Sequence, residues 1–387
     1  MVAARRKDHK GRVLRDGESQ RKNLTYQYRF TDSLGKRHCL YAQTLDDLRR
    51  KEAEIQKKML SGLTCVTAKP TILKLVNSYI DLKQHELRYN TICSYMTLRN
   101  IIAREPWSRL YACDIKISDS KKWIQALVAE RGYSAGTVAQ TKVLLASACQ
   151  AAVEDNILFK NPFRFRFAKS RYERKERPYL TLAEQQSFLS FIQQDNRCSR
   201  YYNQFYVLLK TGIRIGELMG LTISDIDFSQ ACIQISHQVQ QIHDGFCVLT
   251  PKSKSGIRIL PMVDDVQKVL LEIIETNKHK EACEVDGYSN FIFTTKTGSI
   301  KRRSQYNQEL AFCVRAYNDA HEKKLPPLSV HCLRHSFCTT MAELGIDPKY
   351  LQYIMGHSKI EVTMNYYRHV SYEDVQKSVL RAAGERA

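Results

Sequence analysis

The stretch Met355-Gly356-His357-Ser358-Lys359-Ile360-Glu361-Val362-Thr363-Met364-Asn365-Tyr366-Tyr367-Arg368-His369 sets a histidine nine and ten residues ahead of two adjacent tyrosines. A phenol can act as a nucleophile and form a covalent intermediate. Ordinary packing is the plain alternative, since the chain has 21 tyrosines and a lone one carries no message. The meaning of this stretch therefore depends on three clusters upstream. In Thr211-Gly212-Ile213-Arg214-Ile215-Gly216-Glu217-Leu218, Gly212 is suited to end one helix and leave Arg214 at the start of the next. A guanidinium there can give two parallel hydrogen bonds to a phosphate. Glu217 lies one helical turn on, placed to orient a neighbouring ligand. Pro251-Lys252-Ser253-Lys254-Ser255-Gly256 reads as a turn between strands, where a lysine reaches over a substrate to donate a proton. Alone, it is an exposed hairpin lysine. In His331-Cys332-Leu333-Arg334-His335-Ser336, His331 shares a helix face with Arg334 and with His335. Histidines at i and i+4 also suit zinc, but Cys332 stands where HExxH needs its glutamate.

Taken together, two arginines, two histidines, a lysine and a tyrosine suit a phosphodiester. Cations and histidine donors stabilise charge on non-bridging oxygens, the main task in phosphoryl transfer. The lysine can protonate the leaving hydroxyl. No carboxylate cluster offers a Mg²⁺ site, which disfavours a two-metal nuclease. The expectation is chemistry without cofactor or metal.

Composition agrees. The 387 residues are enough for two or three domains, and 60 Lys and Arg against 40 Asp and Glu give a net charge of +20. At 43% apolar the chain is a folded protein, with no uninterrupted apolar run of the roughly 20 residues a membrane span needs. The N-terminus lacks the apolar core of a secretory signal. The reading is a soluble, cytoplasmic, multidomain protein whose partner is a polyanion, with nucleic acid first. The twelve cysteines show no CxxC pair and no regular spacing, and read as scattered thiols in a reducing compartment.

Residues 1–64 form a basic module. It opens with Arg5, Arg6, Lys7, Lys10, Arg12 and Arg15. Thr25–Phe30, which includes Arg29, and His38–Ala42 alternate as two strands, with a turn over 32–35. Thr44 caps a helix to about Leu60. Residues 70–163 carry four helical patterns, and Gly132 and Ser134 separate the third from the fourth. Residues 164–178 are a basic linker containing Lys169, Arg171, Arg174 and Lys175. Phosphate contacts there would release counterions. Thr181-Leu182-Ala183-Glu184 is a capping box that opens the last domain, 179–387. Strands over 232–236, 246–249 and 257–260 predict a three-stranded antiparallel sheet inside it. The fold class is thus multidomain and mainly α: a small N-terminal β-sheet plus helix, a helical bundle, and an α+β domain with a small antiparallel sheet.

The ordered set Arg214, Lys252, His331-x-x-Arg334, His357 and Tyr367 resembles the tyrosine recombinase (lambda-type integrase) family. Residues 211–218, 331–337 and 355–367 match its signature boxes. Gly17–Phe30 and the approach Lys324-Leu325-Pro326-Pro327 are most similar to integrases of conjugative transposons. The resemblance spans nearly the whole chain. It implies an arm-DNA-binding domain, a core-binding domain, an α+β catalytic domain, and a homotetramer on two double-stranded DNA duplexes. The tail over 371–387 would then dock on a neighbouring subunit, or simply fray. An excision factor and a host DNA-bending protein are further implied partners, and the setting is bacterial and nucleoid-associated. In this reading Tyr367 attacks to form a 3′-phosphotyrosyl link, Arg214, Arg334, His331 and His357 hold the phosphate, and Lys252 is the acid. Glu217 and His335 support them. Arg5, Arg6, Arg12, Arg29 and the four linker cations contact DNA. Tyr366 and Lys254 stay open as alternatives, because many relatives space histidine and tyrosine by nine. Two other functions compete: a type IB topoisomerase-like relaxing enzyme, and a non-catalytic DNA-binding regulator.

Overall fold

The computed structural model describes residues 6–31, 37–60, 69–166, 178–243, 245–251 and 253–367. The chain forms two compact units that divide near residue 174.

In the first unit, strands β1 (Glu18–Gln20), β2 (Tyr26–Thr31) and β3 (Arg37–Ala42) pair antiparallel in that order. Alternation over β2 and β3 sets Tyr26 opposite Ala42 and Tyr28 opposite Leu40. These residues pack with Leu14 and with Leu45 and Leu48 of α1 (Leu45–Leu60). Thr44 caps α1 as expected, its Oγ1 accepting from the Asp47 N–H at 3.2 Å. The expected turn over 32–35 lies outside the described residues. Strand β1 carries no hydrophobic period for a sequence reading to find. It is held instead by the buried Glu18 carboxylate, which accepts from Arg49 Nε at 3.0 Å.

Four helices follow: α2 (Ile72–Lys83), α3 (Tyr89–Arg104), α4 (Ile117–Ala129) and α5 (Ala135–Glu154). Thr71 and Ser134 cap α2 and α5. Helix α4 begins at Ile117, with the Asp119 carboxylate accepting from the Lys116 N–H at 3.3 Å. The core holds Ile72, Val76, Ile102, Ile124, Leu144 and Leu145, and Trp107 stacks on Trp123 at 5.2 Å between centroids. Each such aliphatic side chain contributes about 2 kcal/mol by burial. On α5 the apolar Val143 is exposed. The buried stripe runs instead through Val138, Thr141, Leu144, Leu145 and Ala148.

The second unit begins with the predicted capping box. Thr181 N–H donates to Glu184 Oε2 at 3.0 Å, and Glu184 N–H donates back to Thr181 Oγ1 at 3.3 Å. Helices α6 (Leu182–Gln194), α7 (Tyr202–Thr211) and α8 (Ile215–Gly220) precede five strands: β4 (Ile226–Asp227), β5 (Cys232–Ile235), β6 (Gln238–Ile242), β7 (Gly245–Leu249) and β8 (Arg258–Pro261). The sheet differs from the expectation in one respect. Strands β5 and β8 do pair, but the third strand is β4, giving the order β4-β5-β8. The 246–249 segment pairs with β6 in a separate hairpin. The chain leaves the sheet after β5, where the buried His237 ring bonds the Gly220 carbonyl at 2.7 Å. Strand β6 then lies directly against α8. A Cβ on Gly220 would sit 3.0 Å from the Val239 nitrogen, and one on Gly216 would sit 3.1 Å from its oxygen.

Helices α9 (Asp264–Asn277), α10 (Arg303–Ala320), α11 (Val330–Glu343), α12 (Pro348–Met355) and α13 (Ile360–Met364) complete the unit. Its core joins Phe188, Phe205, Leu208, Ile233, Tyr306 and Leu333. The edge strand β8 donates its Ile259 N–H to the Tyr353 hydroxyl on α12 at 3.0 Å. No helix among the described residues is long and apolar enough to cross a membrane.

Candidate active site

Two helix ends face each other at the centre of the second unit. Helix α7 ends at Gly212, whose φ of +63° suits glycine. A Cβ there would lie 2.2 Å from the Phe337 ring. Arg214 follows as the N-cap of α8, as its spacing from Gly212 predicts. Its N–H donates to Glu217 Oε2 and its Nη1 to Glu217 Oε1, each at 2.8 Å. Helix α12 ends in the same way at Gly356, φ +59°. The Gly356 carbonyl accepts from Arg214 Nη2 at 2.7 Å.

Helix α11 supplies the second arginine. Arg334 Nη1 donates to the Gly212 carbonyl at 2.6 Å, and Nη2 donates to the Met355 carbonyl. Each helix end thus lends a carbonyl to an arginine that works beside the other. Arg334 Nη2 also lies 3.3 Å from His357 Nε2, and His357 Nδ1 lies 3.0 Å from Thr363 Oγ1. A guanidinium only donates, so Nε2 accepts and Nδ1 carries the proton toward Thr363.

Beneath Arg214 sits a residue that the sequence reading did not single out. Arg258 on β8 is 2% exposed and gives Glu217 two hydrogen bonds, at 3.0 and 2.9 Å. The pattern Ile257-Arg258-Ile259-Leu260 invites the isoleucines inward, yet both are 53% exposed while Arg258 and Leu260 are buried. The available signal was Glu217, a carboxylate in an apolar helix turn that needs a buried partner.

The electrostatics follow from these contacts. Burial works to raise the Glu217 carboxyl. The hydrogen bonds and charge of Arg258, with the charge and N–H of Arg214, overcome it and hold the group at about 2. Burial, and then the neighbouring Arg214, push Arg334 down to about 9. Burial, then Arg334, Arg214, Arg258 and His331, push His357 down to about 4, so its imidazole is neutral at pH 7. The clamp is an array of crowded donors on one fixed carboxylate, a preorganised receptor for an anion.

The remaining site residues divide. His331 stands exposed at the start of α11 and Arg334 is buried one turn on. His335 packs between Tyr179 and Tyr366, with ring centroids at 5.7 and 4.9 Å. Tyr366 also stacks near His357, at 6.4 Å. Tyr367 is half-buried, and its hydroxyl donates to the Ile346 carbonyl at 2.6 Å rather than to the clamp. Burial, then the nearby Cys338 and Asp347, raise its phenol to about 12. Lys254 is exposed on the turn Lys254–Gly256. Lys252 lies outside the described residues, as do Arg5, Lys169, Arg171, Arg174, Lys175 and the tail over 371–387. In the N-terminal module Arg6 and Arg29 are exposed. Arg12 is bound to Asp8 at 2.9 Å and to the Tyr26 hydroxyl at 2.9 Å, which commits it to the module's structure. Among the described residues, no three His, Cys, Asp or Glu side chains cluster as a metal site.

Residues 178–374 match the Phage integrase family, which spans the whole clamp and both tyrosines. The chain belongs to this family. Residues 2–59 of this integrase match the DNA-binding domain of the Tn916 integrase. The transposases of Tn1545 from Streptococcus agalactiae and of Tn916 from Enterococcus faecalis are each 34% identical to it, over all of this chain and 98% of theirs. The solved Tn1549 transposon integrase, in complex with a circular intermediate DNA, superposes with a TM-score of 0.74 at 34% identity, covering 81% of this chain and 99% of that one. The same integrase in complex with transposon right end DNA gives 0.74 as well. Family membership makes this chain an enzyme of DNA strand cleavage and rejoining.

Proposed function

We propose that this chain is the integrase of a conjugative transposon, a site-specific tyrosine recombinase that integrates and excises the element. The observation that carries the reading is the clamp of Arg214, Arg334 and His357 around two helix ends, in a chain 34% identical to the Tn916 transposase along its full length. Arg214 and Arg334, with His331 and His357, hold the scissile phosphate and neutralise its developing charge. The Tyr367 oxygen forms the new bond to phosphorus and releases its proton to water. The bond from phosphorus to the 5′ oxygen breaks, and that oxygen takes a proton from Lys252. A 5′ hydroxyl of the partner duplex then attacks the 3′-phosphotyrosyl link and gives its proton to Lys252, while the bond from phosphorus to the Tyr367 oxygen breaks, the phenolate takes a proton from water, and a phosphodiester is restored. One phosphoester replaces another at each step, so no ATP is consumed.

Residues 1–64 are the arm-binding module, 70–163 the core-binding domain and 179–387 the catalytic domain. The protein works as a homotetramer on two duplexes, in the nucleoid, with an excision factor and a host DNA-bending protein as partners. In the structure Tyr367 is bonded to Ile346, so cleavage requires it to leave that carbonyl for the clamp.

A nicked suicide substrate and a denaturing gel test the nucleophile. Tyr367→Phe is expected to abolish the covalent protein–DNA band and Tyr366→Phe to keep it. A band that survives Tyr367→Phe rejects the assignment. Relaxation of supercoiled DNA without recombination between two sites would favour the topoisomerase-like alternative.

A further inference from the structure

We propose that Arg258 is a positioning residue for the proton-donating loop, setting that loop in register with the phosphate clamp; this rests on the strand-cleavage reading above. Arg258 is almost fully buried, and its guanidinium touches three parts of the site. Two of its nitrogens grip Glu217, at 3.0 and 2.9 Å. Its Nη1 also donates to the Gly256 carbonyl at 3.0 Å, at the foot of the Lys254–Gly256 turn, whose first residue follows Lys252 by two in the sequence. Its Nε donates to the Ile354 carbonyl at 2.6 Å, in the last turn of α12 just ahead of Gly356 and His357.

The turn also meets the clamp directly. A Cβ on Gly356 would lie 3.0 Å from the Ser255 carbonyl and 3.1 Å from Arg258 Nη1. The two ends of the loop also pack on each other, because a Cβ on Gly256 would strike the Pro251 Cβ at 2.4 Å. Arg258 is thus one planar donor shared between the carboxylate that holds Arg214, the helix end that presents His357, and the loop that bears the acid. Lysine in its place keeps the charge beside Glu217 but lacks the fork that reaches all three.

The test compares two suicide substrates, one ordinary and one with sulfur as the bridging 5′ atom. A thiolate leaves without a proton, so its cleavage is indifferent to where the acid stands. Arg258→Lys is expected to slow cleavage of the ordinary substrate about a hundredfold, the low end of what a general acid contributes. On the thiolate substrate it should lose at least about tenfold less than on the ordinary one, the remaining loss being what Arg258 contributes to the clamp through Glu217, with unchanged binding of the core site in a gel shift. Gly256→Ala displaces the same loop while leaving the Arg258–Glu217 pair alone, and must show the same split. It also keeps the proposal falsifiable where Arg258→Lys fails to fold. An equal loss on both substrates, or no loss on either, overturns the role of Arg258. A parent that gives no Tyr367-dependent band on either substrate overturns the strand-cleavage reading itself.

Discussion

The two helix ends at the centre of the catalytic unit are built alike and held differently. Each closes on a left-handed glycine, Gly212 or Gly356, and each presents a functional side chain within two residues. The Gly212 end is anchored by a carboxylate, Glu217, that answers two arginines. Among the described residues the Gly356 end has no carboxylate of its own. It is held by guanidinium bonds to its backbone carbonyls and by Thr363 against a half-buried His357. One junction is a fixed frame. The other is the side from which the chain runs on through α13 to Tyr367, whose hydroxyl is parked on Ile346. The difference shows two ways of seating arginines around a phosphate: one helix end offers them a side-chain carboxylate, the other a run of backbone carbonyls.

Glu217→Ala breaks the contrast most severely. It strips a buried counter-charge from Arg214 and Arg258 together, and should cost about 4 kcal/mol in urea unfolding. A loss below about 1 kcal/mol would show that water or another group compensates the arginines.

Acid should take the two junctions apart in different windows. The Glu217 pKa is 4.5 when unfolded and about 2 when folded. Its contribution, about 3 kcal/mol, is therefore complete above pH 4.5 and lost as pH falls toward 2. His357 falls from 6.5 to about 4 on folding. Below pH 6.5 only the unfolded chain takes this proton, so stability at the Gly356 end declines from pH 6.5 down to about 4. Urea midpoints measured against pH for the parent and for His357→Gln should differ in slope only in that upper window. A difference confined to pH below 4 contradicts the neutral imidazole.

The glycines give the smallest effects and the sharpest ranking. Gly212→Ala adds a methyl against the buried Phe337 ring and should cost about 2 kcal/mol. Gly356→Ala meets its neighbours at 3.0–3.2 Å, which include two arginine side-chain ends, and should cost about 1 kcal/mol. Thermal melts that rank the two the other way would show that the Ser255 carbonyl and arginine ends at Gly356 yield less than the Phe337 ring at Gly212.

Much of this site is legible in the chain because its signals are local. Gly212 before Arg214, the capping box at Thr181, and His331-x-x-Arg334 each act within one helical turn, where spacing fixes geometry. Arg258 is not legible in that way. Its strand alternates, but the face it buries is chosen by Glu217, which lies 41 residues earlier in the chain. Two exposed isoleucines are the result of that choice. The same limit explains the sheet. Residues 246–249 do form a strand, but its partner is decided by where the chain turns at His237, a tertiary bond and not a period. The pose of Tyr367 is likewise set by the Ile346 carbonyl, to which no sequence motif points.

The hydroxyl of Tyr353 has a consequence beyond the site. Strand β8 is the outer member of its sheet, and exposed outer strands recruit further strands from other molecules. Here the outward N–H of Ile259 is already taken, on an edge where Ile257 and Ile259 are exposed and would otherwise invite such pairing. A side chain from α12 stands in for a missing neighbour, so an incoming strand finds an occupied donor. The molecule thereby carries its own guard against aggregation, a few residues from the machinery it uses to cut DNA.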